Sequence, residues 1–422
     1  MKTIIVASAL YNWGETHRMV GIGEELEKRG YKVVYLGEGK YDFMVDEAKF
    51  ERAKVPGDEE WFTPERIEKM MDMDTYVNNY ATAEEINRTV SAEVEVMKKY
   101  NPVMVVTGYR TTLSISARIL KVPLVWVLSS VVSKNFFLRK IDSLPENSIL
   151  NRYFDKNKMN QNKEVMLDFV KKMFSIYNES SAEWNKVNEM YGLKKFESDL
   201  DIFEGELNIA SDPPEFGEKG DGYKYCGPIF HKKKIEMPEV TADMDEKPKK
   251  KIFIVMGSSG TSEDFERVLK ALKDLDYEYY ISTTRMTDDE KKKYPDNFHF
   301  ADAYPVYEMA GKVDACITHG GQGTIYSVIA AGKPFVGIPL FMEQQYNLET
   351  MQKKHYGVLI PKEKVSTESI KEALEKAWSD PEFIEGAKAG GEIVRKYLID
   401  PAYSAESKAA DIIKEYLNEK TD

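Results

Sequence analysis

The sequence predicts an α/β protein of two domains, each built from buried strands that alternate with amphipathic helices. Three observations predict it. At 422 residues the chain suits about two domains of roughly 100–200 residues each. Its first segments read strand, helix, strand, which argues for a parallel sheet covered by helices on both faces. A second strand–helix series starts at Lys251, after a charged stretch almost free of aromatics.

Composition narrows the function classes. A content of 42% hydrophobic and 31% charged residues is that of an ordinary soluble globular protein. The net charge of −12 argues against a nucleic-acid backbone as partner. Lys-rich stretches at 247–251 and 291–293 read as solvated faces, with peripheral membrane contact left open. No apolar run approaches the ~20 residues of a membrane-spanning helix. The apolar N-terminus is superficially like a signal peptide, but a first buried strand running into a loop and helix explains it better. Two distant cysteines, Cys226 and Cys316, fit a reducing compartment without disulfides or a zinc cluster. A cytoplasmic protein is expected.

Thr3 to Ala9 is an apolar run of strand type. After the loop Leu10–Gly14, a helix from Glu15 to Lys28 places Met19, Ile22 and Leu26 on one face, with Gly30 as its stop. Tyr31 to Leu36 is the next strand. From Tyr41 to Lys99 the pattern is mostly charged helix, with Trp61, Phe62, Tyr76 and Tyr80 where a binding wall can form. Strands follow at 103–107 and 123–128, with a helix at 114–120 between them. Residues 131–191 are helical and irregular; the aromatic and Met-rich part from Phe136 to Tyr191 suits an apolar binding pocket, a membrane-facing surface or a helical core. Short strands at 208–211 and 223–225 close the first domain.

The second series opens with the strand 251–256 and the turn Gly257-Ser-Ser-Gly-Thr261. A helix at 262–272 and strands at 277–282 and 299–301 follow. The strand Val313–Thr318 then turns through His319-Gly-Gly-Gln-Gly-Thr324 into a helix of small and apolar residues that stops at Gly332 and Pro334. Such a turn aims backbone N–H groups and the positive end of a helix at one point, which makes a phosphate site. Its glycines allow close approach of a ligand. The strand 335–339 leads to Phe341-Met-Glu-Gln-Gln-Tyr-Asn347, polar groups at a strand's carboxyl end where open α/β sheets bind ligands. Three helices complete the chain, at 367–378, 381–396 and 402–417.

The ordered set of His319-Gly-Gly-Gln-Gly-Thr324, Ala-Gly-Lys-Pro334, Ile338-Pro339 and Glu343-Gln344 with Asn347 resembles the nucleotide-sugar signature of GT-B glycosyltransferases. The UDP-glycosyltransferase family is the nearest match. The signature covers a small part of the chain, and a weaker likeness runs over nearly all of it. The resemblance implies two doubly wound Rossmann-like domains facing a central cleft. It implies an acceptor domain at 1–235, a linker at 236–250, a nucleotide-sugar domain at 251–401, and a final helix at 402–422 that packs back on the first domain. The implied activity is inverting transfer of a hexose-type sugar from a nucleoside diphosphate, UDP first, to a hydroxyl of a small or lipid acceptor. It needs no metal and no cofactor beyond the donor. A sugar-nucleotide 2-epimerase of the same fold and a non-catalytic donor-binding partner are the alternatives.

Transfer requires that the leaving diphosphate be stabilised, the sugar held and the acceptor hydroxyl deprotonated. For the first, the resemblance assigns His319, Gly320, Gly321, Gln322, Gly323 and Thr324, with Gly257, Ser258 and Ser259 as a second phosphate-side loop. For the second it assigns Glu343 and Gln344, with Asn347 beside them. The backbone of Tyr304-Pro305-Val306 faces the base; Ala303 stands where many relatives stack a Trp, so the Tyr304 ring is a candidate for stacking. Ser327 replaces a ribose-binding Glu. Relatives carry a Gly-His pair after the first strand and an Asp after a later one. Here Gly14, taken to face the donor, precedes Glu15, and the later strand reads Thr107-Gly108-Tyr109. Glu15 and His17 are therefore both candidate bases. A helix N-terminus is expected to hold Glu15 ionised and weakly basic. His231, His299 and His355 stand alone without metal-ligand spacing. No Asp-x-Asp follows a strand. The acceptor, the sugar and the oligomeric state stay open.

Overall fold

The computed structural model describes residues 1–9, 13–57, 81–137, 164–165, 182–197, 199–217, 222–230, 235–257 and 262–420. They form two units. One takes the described residues of 1–229 together with 403–420; the other takes those of 230–402.

The first unit is a seven-stranded sheet in the order β3-β2-β1-β4-β5-β6-β7. Its strands are β1 (Thr3–Ser8), β2 (Lys32–Leu36), β3 (Glu51–Ala53), β4 (Met104–Gly108), β5 (Leu124–Leu128), β6 (Leu207–Ala210) and β7 (Lys224–Tyr225). Every pairing is parallel. β1 reads as a continuous apolar run because both its faces are covered. Ile4 and Val6 join the core under helix α1 (Trp13–Lys28), while Ile5 and Ala7 join the core on the other face. Met19, Ile22 and Leu26 of α1 are fully buried, as their spacing predicts.

The stretch 41–57 departs from the expected charged helix. It holds a short helix, α2 (Asp42–Glu47), and then the edge strand β3. Three residues reading Glu-Arg-Ala carry no apolar alternation, so periodicity has nothing to detect there. Arg52 of β3 pairs with Asp42 at 2.7 Å. The long helix of this region is α3 (Ala83–Tyr100), started by a Thr82–Glu85 capping box and ended by Asn101 in a left-handed conformation. Trp61, Phe62, Tyr76 and Tyr80 lie outside the described residues, as does most of 136–191. Helix α4 (Leu113–Leu120) follows β4.

In the second unit the sheet order is β10-β9-β8-β11-β12-β13. The strands are β8 (Lys251–Val255), β9 (Glu278–Ser282), β10 (Phe298–Ala301), β11 (Ala315–Thr318), β12 (Phe335–Gly337) and β13 (Gly357–Leu359), again all parallel. Helices α5 (Ser262–Leu272), α6 (Val306–Lys312), α7 (Gln322–Ala330), α8 (Met342–Lys353), α9 (Thr367–Ser379) and α10 (Pro381–Ile399) cover it. The stretch read as a linker has order of its own in this unit. It carries two 3-10 turns, buries Met244, and pairs Lys247 with Asp243 at 3.1 Å.

Helix α11 (Ala405–Glu419) completes the first unit. Its Ala405, Ala409, Ala410, Ile413 and Leu417 enter the core formed with α1. Arg29 of α1 donates to Asp411 at 2.7 Å and to the Ser407 carbonyl at 2.9 Å.

Both sheets start at an inner strand, build outward on one side, then cross to the other. The order therefore reverses between β1 and β4, and again between β8 and β11. A crevice opens outside the carboxyl ends of the strands at such a point, and there open α/β sheets bind ligands.

Candidate functional site

At the reversal point of the second sheet, Ser282, Val255 and Thr318 lie level on three neighbouring strands. The loops that follow β9, β8 and β11 therefore emerge side by side. His319, the first residue after β11, is only 4% exposed. Its ring is seated by two glycines. A Cβ on Gly257 would lie 2.5 Å from His319 Cε1 and Nε2, and one on Gly321 would lie 2.4 Å from Nε2. Gly320 has φ +89°, and a Cβ there would meet Leu348 Cγ at 2.6 Å. Gly321 caps α7 without a side-chain acceptor, so the first-turn N–H groups at Gln322, Gly323 and Thr324 are oriented for a ligand's oxygens. Burial pushes the His319 pKa down to about 4, against the pull of the Val255 carbonyl. At neutral pH the ring is an uncharged imidazole.

Helix α8 braces this turn from behind. Asn347 donates to the Gly320 carbonyl at 3.1 Å and to Glu343 at 3.4 Å. Glu343 is half-buried in the first turn of α8. Gln344 departs from the expected sugar contact. It is 1% exposed, and its Oε1 accepts the Leu340 N–H at 2.8 Å, which fixes the loop entering the helix.

Tyr304 also differs from expectation. Its ring is 2% exposed, packs edge-on against Phe253 at 5.3 Å, and donates its hydroxyl to the His299 carbonyl at 3.0 Å. It is a core ring and offers no stacking face. Val306 opens α6 and is half-buried, beside the exposed Ala303. Ser327 returns its hydroxyl to the Gly323 carbonyl at 2.9 Å. Ser258 and Ser259 lie outside the described residues.

In the first sheet, Ser8 and Gly108 are paired at the reversal point. Gly14 is exposed and His17 half-buried. Glu15 is 5% exposed and rests on Gly108, where a Cβ would come within 2.3 Å of its Oε2. Arg18 pairs with Glu15 Oε1 at 2.9 Å and donates to the Val127 carbonyl at 3.2 Å. The pKa of Glu15 is raised: burial outweighs the opposing pull of Arg18. This reverses the expected effect of the helix N-terminus, because a dipole of roughly half a charge is weaker here than desolvation.

Sequence reasoning missed a buried polar network in the same unit. Glu93, fully buried on α3, accepts from Arg110 Nε at 2.7 Å and from Thr112 at 2.6 Å, and also from Ser116. One signal was present. Glu93 interrupts the apolar face formed by Ile86, Val90, Val94 and Met97, and an acid on a buried face needs partners. Among the described residues, no three His, Cys, Asp or Glu side chains gather as a metal site. Cys226 and Cys316 are buried, and burial pushes the Cys226 thiol up to about 12. No helix among the described residues is long and apolar enough to cross a membrane.

Residues 266–402 match the family described as erythromycin biosynthesis protein CIII-like, C-terminal domain. Over 309 residues the chain is 25% identical to a PGL/p-HBAD biosynthesis glycosyltransferase of Mycobacterium tuberculosis, covering 72% of this chain and 69% of the relative. Over 211 residues it is 28% identical to the NDP-glycosyltransferase YjiC of Bacillus subtilis, covering 49% and 52%. Among solved structures, the glycotransferase of kitacinnamycin aligns with a TM-score of 0.68 at 17% identity over 99% of both chains. The glycosyltransferase VinC, solved in complex with dTDP, aligns at 0.63 and 13% identity over 99% of this chain and 100% of that one. The structural likenesses show the fold, and the named relatives carry the activity class.

The chain is a GT-B glycosyltransferase.

It is UDP-glycosyltransferase-like and of the NDP-glycosyltransferase type. Within this glycosyltransferase the matched region contains the whole His319–Thr324 turn and α8. The Gly257 loop lies before it, so the seating of His319 joins matched and unmatched sequence.

Proposed function

We propose that this glycosyltransferase moves a hexose-type sugar from a nucleoside diphosphate, UDP first, to a hydroxyl of a small-molecule or lipid acceptor, with inversion and without a metal. The observation that carries the proposal is the glycine-walled turn at 319–321 leading into α7 at the reversal point of its sheet. N–H groups and a helix N-terminus stabilise a departing diphosphate without the reorganisation that water would need. Neutral His319 has one N–H, which it gives either to the Val255 carbonyl or to the diphosphate. Glu343 holds sugar hydroxyls, which makes the site reject donors lacking them. Glu15 takes the acceptor proton, and burial, by raising its pKa, makes it a stronger base than an exposed carboxylate. The two buried free cysteines support a cytoplasmic setting.

Calorimetric titration with UDP and dTDP tests the donor site. Wild type should bind at least one of them, and His319→Ala should bind it more weakly while melting as a folded protein. Unchanged affinity in that variant would remove the turn from the site. Incubation with a nucleotide sugar alone separates transfer from epimerisation, because only an epimerase yields an isomerised sugar nucleotide when no acceptor is present.

A further inference from the structure

We infer that Arg285, on the loop after β9, is a donor-binding residue whose guanidinium faces the diphosphate held by the His319–Thr324 turn. The inference rests on the donor-site proposal above and adds to it a charge that the motif does not contain.

The turn has a deficit. A nucleoside diphosphate brings at least two negative charges, whereas a helix N-terminus offers roughly half a positive one. His319 adds none, because its ring stays neutral down to about pH 4. N–H groups alone leave most of that charge to be balanced by something else at the same edge.

Arg285 is placed to balance it. Ser282, Val255 and Thr318 end their strands at one level. Residues 283–285 therefore leave the sheet beside Gly257, and Gly257 lies beside His319. The loop is held in shape at two points. The Thr283 N–H donates to the Ala301 carbonyl at 2.9 Å, and the Arg285 N–H donates to Thr283 Oγ1 at 3.1 Å. The side chain is not a solvated surface arginine: it is only half-exposed, and its Nη1 is buried. Its charge reaches the His319 ring and helps to hold that ring neutral. A guanidinium suits the task because its planar fork meets two phosphate oxygens at once and cannot lose its charge.

The test compares UDP and dTDP with uridine and thymidine, in calorimetric titrations of wild type, Arg285→Gln and Arg285→Lys at two salt concentrations. Arg285→Gln should weaken diphosphate binding by roughly 10- to 100-fold, as expected for a charged hydrogen bond, and leave nucleoside binding unchanged. Its binding should also depend less on salt. Arg285→Lys should recover part of the loss, since it keeps the charge without the fork. If wild type binds a diphosphate and Arg285→Gln binds it equally well, or loses nucleoside and diphosphate together, this inference fails while the donor site stands. If wild type binds neither diphosphate, the donor-site proposal itself fails, and the role of Arg285 falls with it.

Discussion

Both sheets reverse their order beside their first strand, yet the two reversal points are built in opposite ways. The first is filled by side chains. Glu15, Arg18, Glu93, Arg110 and Thr112 are buried there, and Gly108 is the gap into which a carboxylate leans. The second is lined by backbone. Gly257 and Gly321 clear space for one uncharged imidazole, Gly320 makes room for Leu348 of α8, and α7 starts at the same turn. Under the function proposed above, the contrast teaches how one topology serves two tasks. A site for moving a proton needs a group whose affinity for protons is tuned, and burial tunes Glu15 upward. A site for a highly charged leaving group needs fixed dipoles that do not titrate in the working range, and burial takes the titration of His319 down to about pH 4.

The largest effect should come from the charged point. Glu15→Gln keeps the shape and removes the proton acceptor, so turnover should fall by about 10²–10⁴-fold with nucleotide affinity unchanged. His17→Ala should lose less. In wild type the acidic limb of the kcat profile should lie above the ordinary carboxylate value, because the base works only when deprotonated and its pKa is raised. If Glu15→Gln turns over normally and His17→Ala is dead, the base is the histidine.

The neutral point should reveal itself in stability against pH. The folded state depresses the His319 pKa from 6.5 to about 4. Its stabilising contribution is therefore present above 6.5 and is lost as pH falls through about 4. A fall of that size corresponds to about 3 kcal/mol. Denaturant unfolding of wild type and of His319→Gln should show a stability difference that changes by about this amount between pH 7 and pH 4. A flat difference would mean that the ring is protonated in place, and the contrast between the two points would disappear.

The smallest effect separates two neighbours on α8. Gln344→Ala removes the acceptor of the Leu340 N–H and should lower stability by about 1 kcal/mol. Glu343→Ala should leave stability nearly unchanged and lower transfer more than nucleotide binding. Equal behaviour of the two in melting and in transfer assays would return Gln344 to the sugar.

The second point was largely legible in the sequence because its parts are local. A strand, a glycine turn and a helix follow one another from 315 to 330, and each has its own residue pattern. The first was not. Glu15 reaches Gly108 and Glu93 reaches Arg110 from separate elements, and those contacts depend on the tertiary arrangement, which no periodicity encodes. The direction of the Glu15 shift was misjudged for the same reason, since desolvation is a tertiary property. Tyr304 looked like a ligand-facing aromatic until Phe253 took its ring into the core. Arg285 lies outside the motif, and only the register of β8, β9 and β11 brings it near His319.

The packing of α11 on α1 bears on synthesis. The core beneath α1 draws on residues 405–417 as well as on 4–45, and the whole second unit is translated between these two sets. Nascent chains must therefore carry an uncovered apolar flank on α1 while 230–402 emerge and fold, and intermediates with such exposed surface are prone to aggregate. Ile413 and Leu417 act as a late clasp, so the first unit matures last although it is made first.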